Sequence, residues 1–290
     1  MRNRTSLAVM AVALLWAPAA LAANKATLSQ TGANQVLSVD QTPGIDGTAV
    51  VIQSGSSNAT VVYQDDVEGL AFRASPSNLV DIQQAGTHNL INTVSFDGAP
   101  LGQRNTLLGS ITNTMLVKQA GDSNKIAYSQ IGYDNYGVIN QGFGVSRTAS
   151  DDNIVSLSQE KAGNSAHIDQ AGSSNFVGAR QLSDHNNLVV DQQGAQNDLI
   201  VNQHQDDNAV IDQSGLSNSI HLLQLGNFDD ATIEQGGDSN DISLTQVDSH
   251  NTAAIYQTGS LNDLNILQQS KSAIATVVQT GQSGMISLKQ

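Results

Sequence analysis

Glutamine recurs every eleven residues at Gln213, Gln224, Gln235, Gln246, Gln257, Gln268, Gln279 and Gln290, an unbroken register of eight positions. Self-similarity at a fixed period signals stacked supersecondary units, so this register constrains the fold before any search for a site begins. Each glutamine closes a seven-residue arm that usually opens on asparagine, as in Asn218 to Gln224, Asn240 to Gln246, Asn251 to Gln257 and Asn262 to Gln268. Four residues, often including glycine, separate successive arms. The spacing continues backwards through Gln159, Gln170, Gln181, Gln192 and Gln203, with one residue missing before Gln213, and through Gln119, Gln130 and Gln141. Looser copies run from Asn24 to Gln30, Gln35 to Gln41, Gly47 to Gln53, Asn58 to Gln64, Asn78 to Gln84 and Asn89 to Ser95. Gly, Pro, Ser and Asp accumulate at 65–77, 96–104 and 142–152, which predicts longer loops there. The resulting division is a signal peptide at 1–22, degenerate repeats with loop insertions at 23–118, and a regular repeat array at 119–290.

Within an arm, apolar residues fall at the third and fifth places, as in Ile220 and Leu222, Ile242 and Leu244, or Leu264 and Ile266. Alternation with period two indicates a β-strand with one buried face, and it puts the opening Asn and the closing Gln on that same face. Two arms and their turns then make one coil of about 22 residues, and coils stack at the roughly 4.8 Å spacing of paired strands. The expectation is an all-β solenoid of two-strand coils with amyloid-like stacking. An inward amide without a partner costs about 1–3 kcal/mol, so the inward amides are expected to bond to their equivalents one coil above and below. The residues assigned to this structural ladder are Asn164, Gln170, Asn175, Gln181, Gln192, Asn197, Gln203, Gln213, Asn218, Gln224, Gln235, Asn240, Gln246, Asn251, Gln257, Asn262, Gln268, Gln279 and Gln290. The first arm follows the predicted cleavage point and the last ends on Gln290, so both ends are expected to be open strand edges that template another copy.

Met1 to Ala22 carries Arg2 and Arg4, an apolar run from Leu7 to Trp16 and an Ala20-Leu21-Ala22 site, the pattern of a secretory signal peptide. Without it the chain has 10 basic against 26 acidic residues, a formal charge of −16. That excludes phosphate binding through clustered Lys and Arg, so nucleic acid is not an expected partner. Cysteine is absent, which removes disulfides and thiolate metal sites.

Acidic pairs at Asp65 and Asp66, Asp151 and Asp152, Asp206 and Asp207, and Asp229 and Asp230 are assigned to solvated turns, where they would slow premature self-association. Gly236 to Asp241 resembles only a fragment of a nine-residue calcium-binding repeat and sits inside an eleven-residue period. The six histidines lack zinc-ligand spacing, and Gly142-Phe143-Gly144 lacks the third glycine of a nucleotide loop. No inward carboxylate pair is expected, so catalytic, cofactor-binding and metal residues are all set at none, and the chain is not read as an enzyme. Tyr63, Tyr128 and Tyr256 are assigned to the outward surface.

The pattern Asn-x5-Gln-x-Gly-x-x-Asn-x5-Gln, read in Asn164 to Gln181 and, one residue shorter in its first arm, in Asn208 to Gln224, resembles the curlin repeat of bacterial curli over nearly the whole mature chain. The resemblance implies a secreted subunit of extracellular cell-surface amyloid fibres that support biofilm and adhesion. Its implied partners are itself and other curlin subunits, together with outer-membrane curli secretion and assembly proteins. The final stretch looks like the last repeats of the minor, nucleating subunit, because Ala273 and Gly284 replace the opening Asn, Lys271 enters the turn, and Met285 precedes an alternating strand. On that likeness, nucleation or anchoring is assigned to Lys271, Ile274, Val277, Gln279, Met285, Ile286, Leu288 and Gln290. A major curlin subunit remains the alternative within the family. A monomeric β-solenoid adhesin that binds through its sides is the alternative outside it.

Overall fold

The computed structural model describes residues 24–41, 47–66, 79–92, 103–105, 113–142 and 151–290. The predicted signal peptide, most of the first predicted loop and much of the other two lie outside these residues.

The arms form two sheets, one of eleven strands and one of twelve, with every strand pair parallel and each strand bonded to the next arm but one. Alternate arms therefore feed alternate sheets, and the chain winds as a β-solenoid with no helix among the described residues. In one sheet Asn208–Leu216 pairs with Asp230–Asp238, which pairs with Thr252–Ser260, which pairs with Ile274–Gln282. In the other, Ser219–Asn227 pairs with Asp241–Gln246, then Asp263–Gln268, then Met285–Lys289. Most steps between stacked equivalents are 22 residues, while Gln53 to Gln84 takes 31, Gln84 to Gln119 takes 35 and Gln141 to Gln170 takes 29. The register survives these insertions because a parallel pairing slipped by one residue would turn every inward side chain to solvent. Arg104, assigned to a loop, lies instead in the short strand Gln103–Asn105 that pairs with Gln64–Asp66 and Gln103↔Gln130.

The space between the sheets holds the third- and fifth-place residues. One sheet contributes Ala209, Ala231 and Ala253 beside Ile211, Ile233 and Ile255; the other contributes Ile220, Ile242 and Leu264 beside Leu222, Leu244 and Ile266, all at most 1% exposed. Each such Ile or Leu gains roughly 1.5–3 kcal/mol from leaving water, so an isolated arm falls short of its ordering entropy and only the stack is stable.

The turns explain the spacing between arms. The residue just before each opener adopts a left-handed backbone, as at Ser217 (φ 57), Ser239 (φ 56) and His250 (φ 63). In alternate turns a glycine two residues past the Gln also has positive φ, and these glycines stack directly. A Cβ on Gly215 would lie 1.9 Å from the carbonyl oxygen of Gly237, and one on Gly237 the same distance from that of Gly259. Close backbone approach, not only turn geometry, excludes a side chain there.

Asp65 and Asp66, assigned to a loop, instead end the strand Ala59–Asp66 and pair with Arg104 and Asn105, and two assignments of burial also need correction. Tyr128 is fully buried, because it occupies the inward fifth place of the arm Asn124 to Gln130. Its bulk fits because the inward third place of the following arm is Gly137, where a Cβ would sit 1.4 Å from the Tyr128 hydroxyl. The acidic residues Asp207 and Asp229 are 1% and 0% exposed, not solvated, and as neighbours in one column they form an inward carboxylate pair where none was expected. The missing residue between Gln203 and Gln213 shortens one turn, so Asp207 takes the opening place and Asn208 becomes an outward residue paired with Asn187 and Asp230.

Candidate assembly surface

The glutamine columns run the length of the stack with one polarity. In the first sheet Gln30 Nε2 donates to Gln53 Oε1, and the chain of donors continues through Gln84, Gln119, Gln141, Gln170, Gln192, Gln213, Gln235 and Gln257 to Gln279. In the second it runs from Gln130 through Gln159, Gln181, Gln203, Gln224, Gln246 and Gln268 to Gln290. Distances lie between 2.7 and 3.1 Å. The second amide hydrogen reaches across the coil to a strand carbonyl, as Gln235 does to Ser219 and Gln246 to Asp230. Interior glutamines such as Gln235 and Gln246 therefore tie their coil to the next coil and their own sheet to the other.

The asparagines work differently. Asn218 Oδ1 accepts the backbone N–H of Asn240, while its Nδ2 donates to the carbonyls of Ser214 and Gly237. Asn175 to Asn197, Asn197 to Asn218, and Asn240 to Asn262 repeat the backbone step, and Asn164 makes it to Asn186 in the other column. That second column then passes through Asp207 and Asp229 before returning to Asn251. Neither carboxylate was assigned to the ladder, although each lies six residues before a ladder Gln, and that spacing was the available signal.

The last rung differs from those below it. Both asparagine columns end one coil early, where Asn251 accepts the N–H of Ala273 and Asn262 that of Gly284. Both glutamine columns persist, and the Nε2 groups of Gln279 and Gln290 also donate to the carbonyls of Asp263 and Ile274. Among the described residues no strand covers the outer edges of Ile274–Gln282 and Met285–Lys289. Val277 and Gln279 are largely buried, Ile286 and Leu288 are half-buried against the core, and Ile274, Val278 and Met285 are exposed at 70%, 65% and 79%. A Cβ on Gly281 would meet nothing within 4 Å, whereas Gly172, Gly194, Gly215, Gly237 and Gly259 beneath it are each covered by the next carbonyl. Lys271 is an exposed turn residue.

Outward charge fades toward this rung. Asp169, Asp191, Asp212 and Glu234 stack on successive strands of the first sheet, and burial together with the neighbouring Asp191 and Glu234 raises the carboxyl of Asp212 above its usual range. Above Glu234 the column continues as Tyr256 and Val278. In the second sheet Asp241 and Asp263 are followed by Met285. Residues 270–290 contain two lysines and no acid.

A groove of about 330 Å³ on the outer face of the first sheet is lined in part by Asp81, Leu116, Lys118, Tyr136, Val138 and His167. No group of three or more potential metal ligands occurs among the described residues. No curated protein sequence matches the chain. The sequence model of the Curlin associated repeat matches residues 215–247 and 237–269, and this stretch, where the Gln columns and the stacked glycines are most regular, is built of curlin repeats.

Proposed function

We propose that the chain is a secreted curli-type fibre subunit that polymerises by stacking its terminal rungs on those of further subunits, and that it serves as the minor subunit nucleating or anchoring fibres at the cell surface. Curlin repeats in a β-solenoid support the curli-type subunit, a structural protein of a family that is not enzymatic. One observation carries the assembly reading: the rung at 274–289 keeps full strand geometry and both Gln columns while its outer edge is unpaired among the described residues. Such an edge is a template for strand addition. Charge favours the same site, because the acidic columns on the sides repel lateral approach and the charged side chains of residues 270–290 are lysines alone.

The nucleating role rests on the departure of that rung from the repeat. With Ala273 and Gly284 in place of Asn, no side-chain oxygen waits for the backbone of an added coil, while Ile274, Val278 and Met285 add apolar surface around it. Partners on this reading are further curlin subunits and the outer-membrane proteins that export and assemble them. The test is thioflavin fluorescence of a regular major curlin seeded with a few per cent of this chain. The intact chain should abolish the lag, and a variant lacking Ser270 to Gln290 should lose that effect while keeping its β-sheet circular dichroism. Unchanged seeding by the truncated variant would overturn the nucleating role.

A further inference from the structure

The asparagine column of one edge contains two consecutive carboxylates. Asp207 and Asp229 occupy opening places in adjacent coils, each practically without solvent exposure. Their Oδ1 atoms do what the amide oxygens do elsewhere: Asp207 accepts the N–H of Asp229 at 3.0 Å and Asp229 accepts that of Asn251 at 2.8 Å. Their second oxygens stand where a ladder asparagine has an NH2 group that donates to two carbonyls, as Asn218 and Asn240 do. An ionised carboxylate can only accept, so these two coils lose the donor that closes the turn. The shortened turn compensates Asp207, whose Oδ2 accepts the N–H of His204 at 2.9 Å. Asp229 has the full-length turn, and its buried Oδ2 accepts no hydrogen bond of good geometry, the Gly226 N–H and the Asn251 side chain only approaching the carboxyl.

We propose that Asp207 and Asp229 form a proton-dependent seam in the solenoid, which closes when the pair takes up protons and loosens when both carboxylates ionise. A protonated acid regains one O–H donor at the place of the asparagine amide, and it removes the repulsion between two buried charges one strand spacing apart, about 4.8 Å. Burial pushes Asp207 up to about 7, with Asp229 and Asp206 adding to the rise against the N–H donors of Asp229 and His204. Burial likewise raises Asp229, opposed by the N–H groups of Asn251 and Gly226, the Asn251 side chain and His250. The other charged groups nearby are in the turns. Asp184 and His185 lie in the turn before Asn186, and His185 Nδ1 is 3.6 Å from Asp206 Oδ1. Asp230 points outward beside Asn208, and Asp248 lies in the turn before Asn251. No lysine or arginine lies in these turns.

The sign follows from linkage. Both carboxyls are raised, so the folded state holds protons that the unfolded chain releases near pH 4, and stability is lost as pH rises from there through about 7. The seam depends on the fold and not on the fibre reading, so the test uses monomeric protein. Hydrogen exchange of the full mature chain is compared at pH 5.5 and 8.0, corrected for intrinsic rates, in strands Asn208–Leu216 and Asp230–Asp238 and in the distant control strand Thr114–Gln119. Protection in the two seam strands should fall at least tenfold at pH 8.0 relative to the control. Asp207→Asn with Asp229→Asn supplies the missing amides and should remove that difference, whereas Asp241→Asn, an exposed control, should leave it. Equal pH dependence in the wild type and the double variant, or in the seam and the control strand, would overturn the proposal.

Discussion

Replacing one interior glutamine by methionine measures what the ladder contributes, because length and apolar volume are nearly kept and only the amide is lost. Gln235 accepts from Gln213 Nε2 at 2.9 Å and donates to Gln257 Oε1 at 2.8 Å and to the Ser219 carbonyl at 3.1 Å. In Gln235→Met, one N–H of Gln213 and the Oε1 of Gln257 lose these partners inside the stack. Gln213 keeps its second bond, to the Asp198 carbonyl, and the Ser219 carbonyl retains its strand environment. Two buried groups at about 1–3 kcal/mol each give a loss of roughly 2–6 kcal/mol, and about 3 kcal/mol is the central expectation. Gln279→Met removes less from the monomer, because Gln279 accepts from Gln257 but its own further bond, to the Asp263 carbonyl, is long at 3.4 Å. The expected loss there is about 1–1.5 kcal/mol. Urea unfolding of freshly desalted monomer, followed by far-ultraviolet circular dichroism, reads both. Equal losses in the two variants, or a Gln235→Met loss below about 1 kcal/mol, would refute the claim that hydrogen-bonded amide columns hold the stack together.

The stacked turns give a second contrast. Gly215→Ala places a Cβ 1.9 Å from the Gly237 carbonyl at φ 110, so it should cost at least about 3 kcal/mol in the same unfolding assay, while Gly236→Ala, whose Cβ meets nothing closer than 3.5 Å, should stay within about 0.5 kcal/mol. Tyr128 and Gly137 should behave as a pair. Gly137→Ala alone should be severely destabilising, Tyr128→Phe should cost about 1 kcal/mol through the hydroxyl that accepts from Gln130 Nε2 at 2.8 Å, and Tyr128→Leu with Gly137→Ala should be more stable than Gly137→Ala alone, a coupling read from a double-mutant cycle.

The eleven-residue register and the period-two alternation made the solenoid legible in the sequence, because only side chains facing the core are held to a fixed place by both stacking and burial. Gln213 to Gln290 could be placed without a structure for that reason. Asp207 escaped because a single deletion shifted the turn and left the neighbouring Asn208 looking like the opener; counting six residues back from Gln213 recovers it. Asp229 was hidden by its partner Asp230, since two adjacent acids read as a solvated turn although alternation allows only one of them to face outward. Tyr128 was misplaced against the alternation itself. Its burial depends on a glycine nine residues further along the chain, at Gly137, and such compensation across the core is a property of packing that no single arm displays. The glycine stack had a visible sign in its alternate spacing, but the sign alone does not separate turn freedom from carbonyl approach.

On the function proposed above, subunits stack head to tail in the register of the internal rungs. If Lys25–Ala33 of one copy follows Ile274–Gln282 of another as the strands follow one another inside the chain, Gln279 meets Gln30 of the added copy, Gly281 meets Gly32 and Val278 meets Ser29. The chain has no cysteine, so Ser29→Cys combined with Val278→Cys introduces the only thiols. Strand neighbours about 4.8 Å apart fall within the Cα separation a disulfide accepts. Fibres of the double variant, oxidised and then dissolved in denaturant without reductant, should run as a ladder of covalent multimers on a gel, and an equal mixture of the two single variants should give dimers and no longer products. Well-formed fibres that release only monomer would contradict head-to-tail stacking in this register.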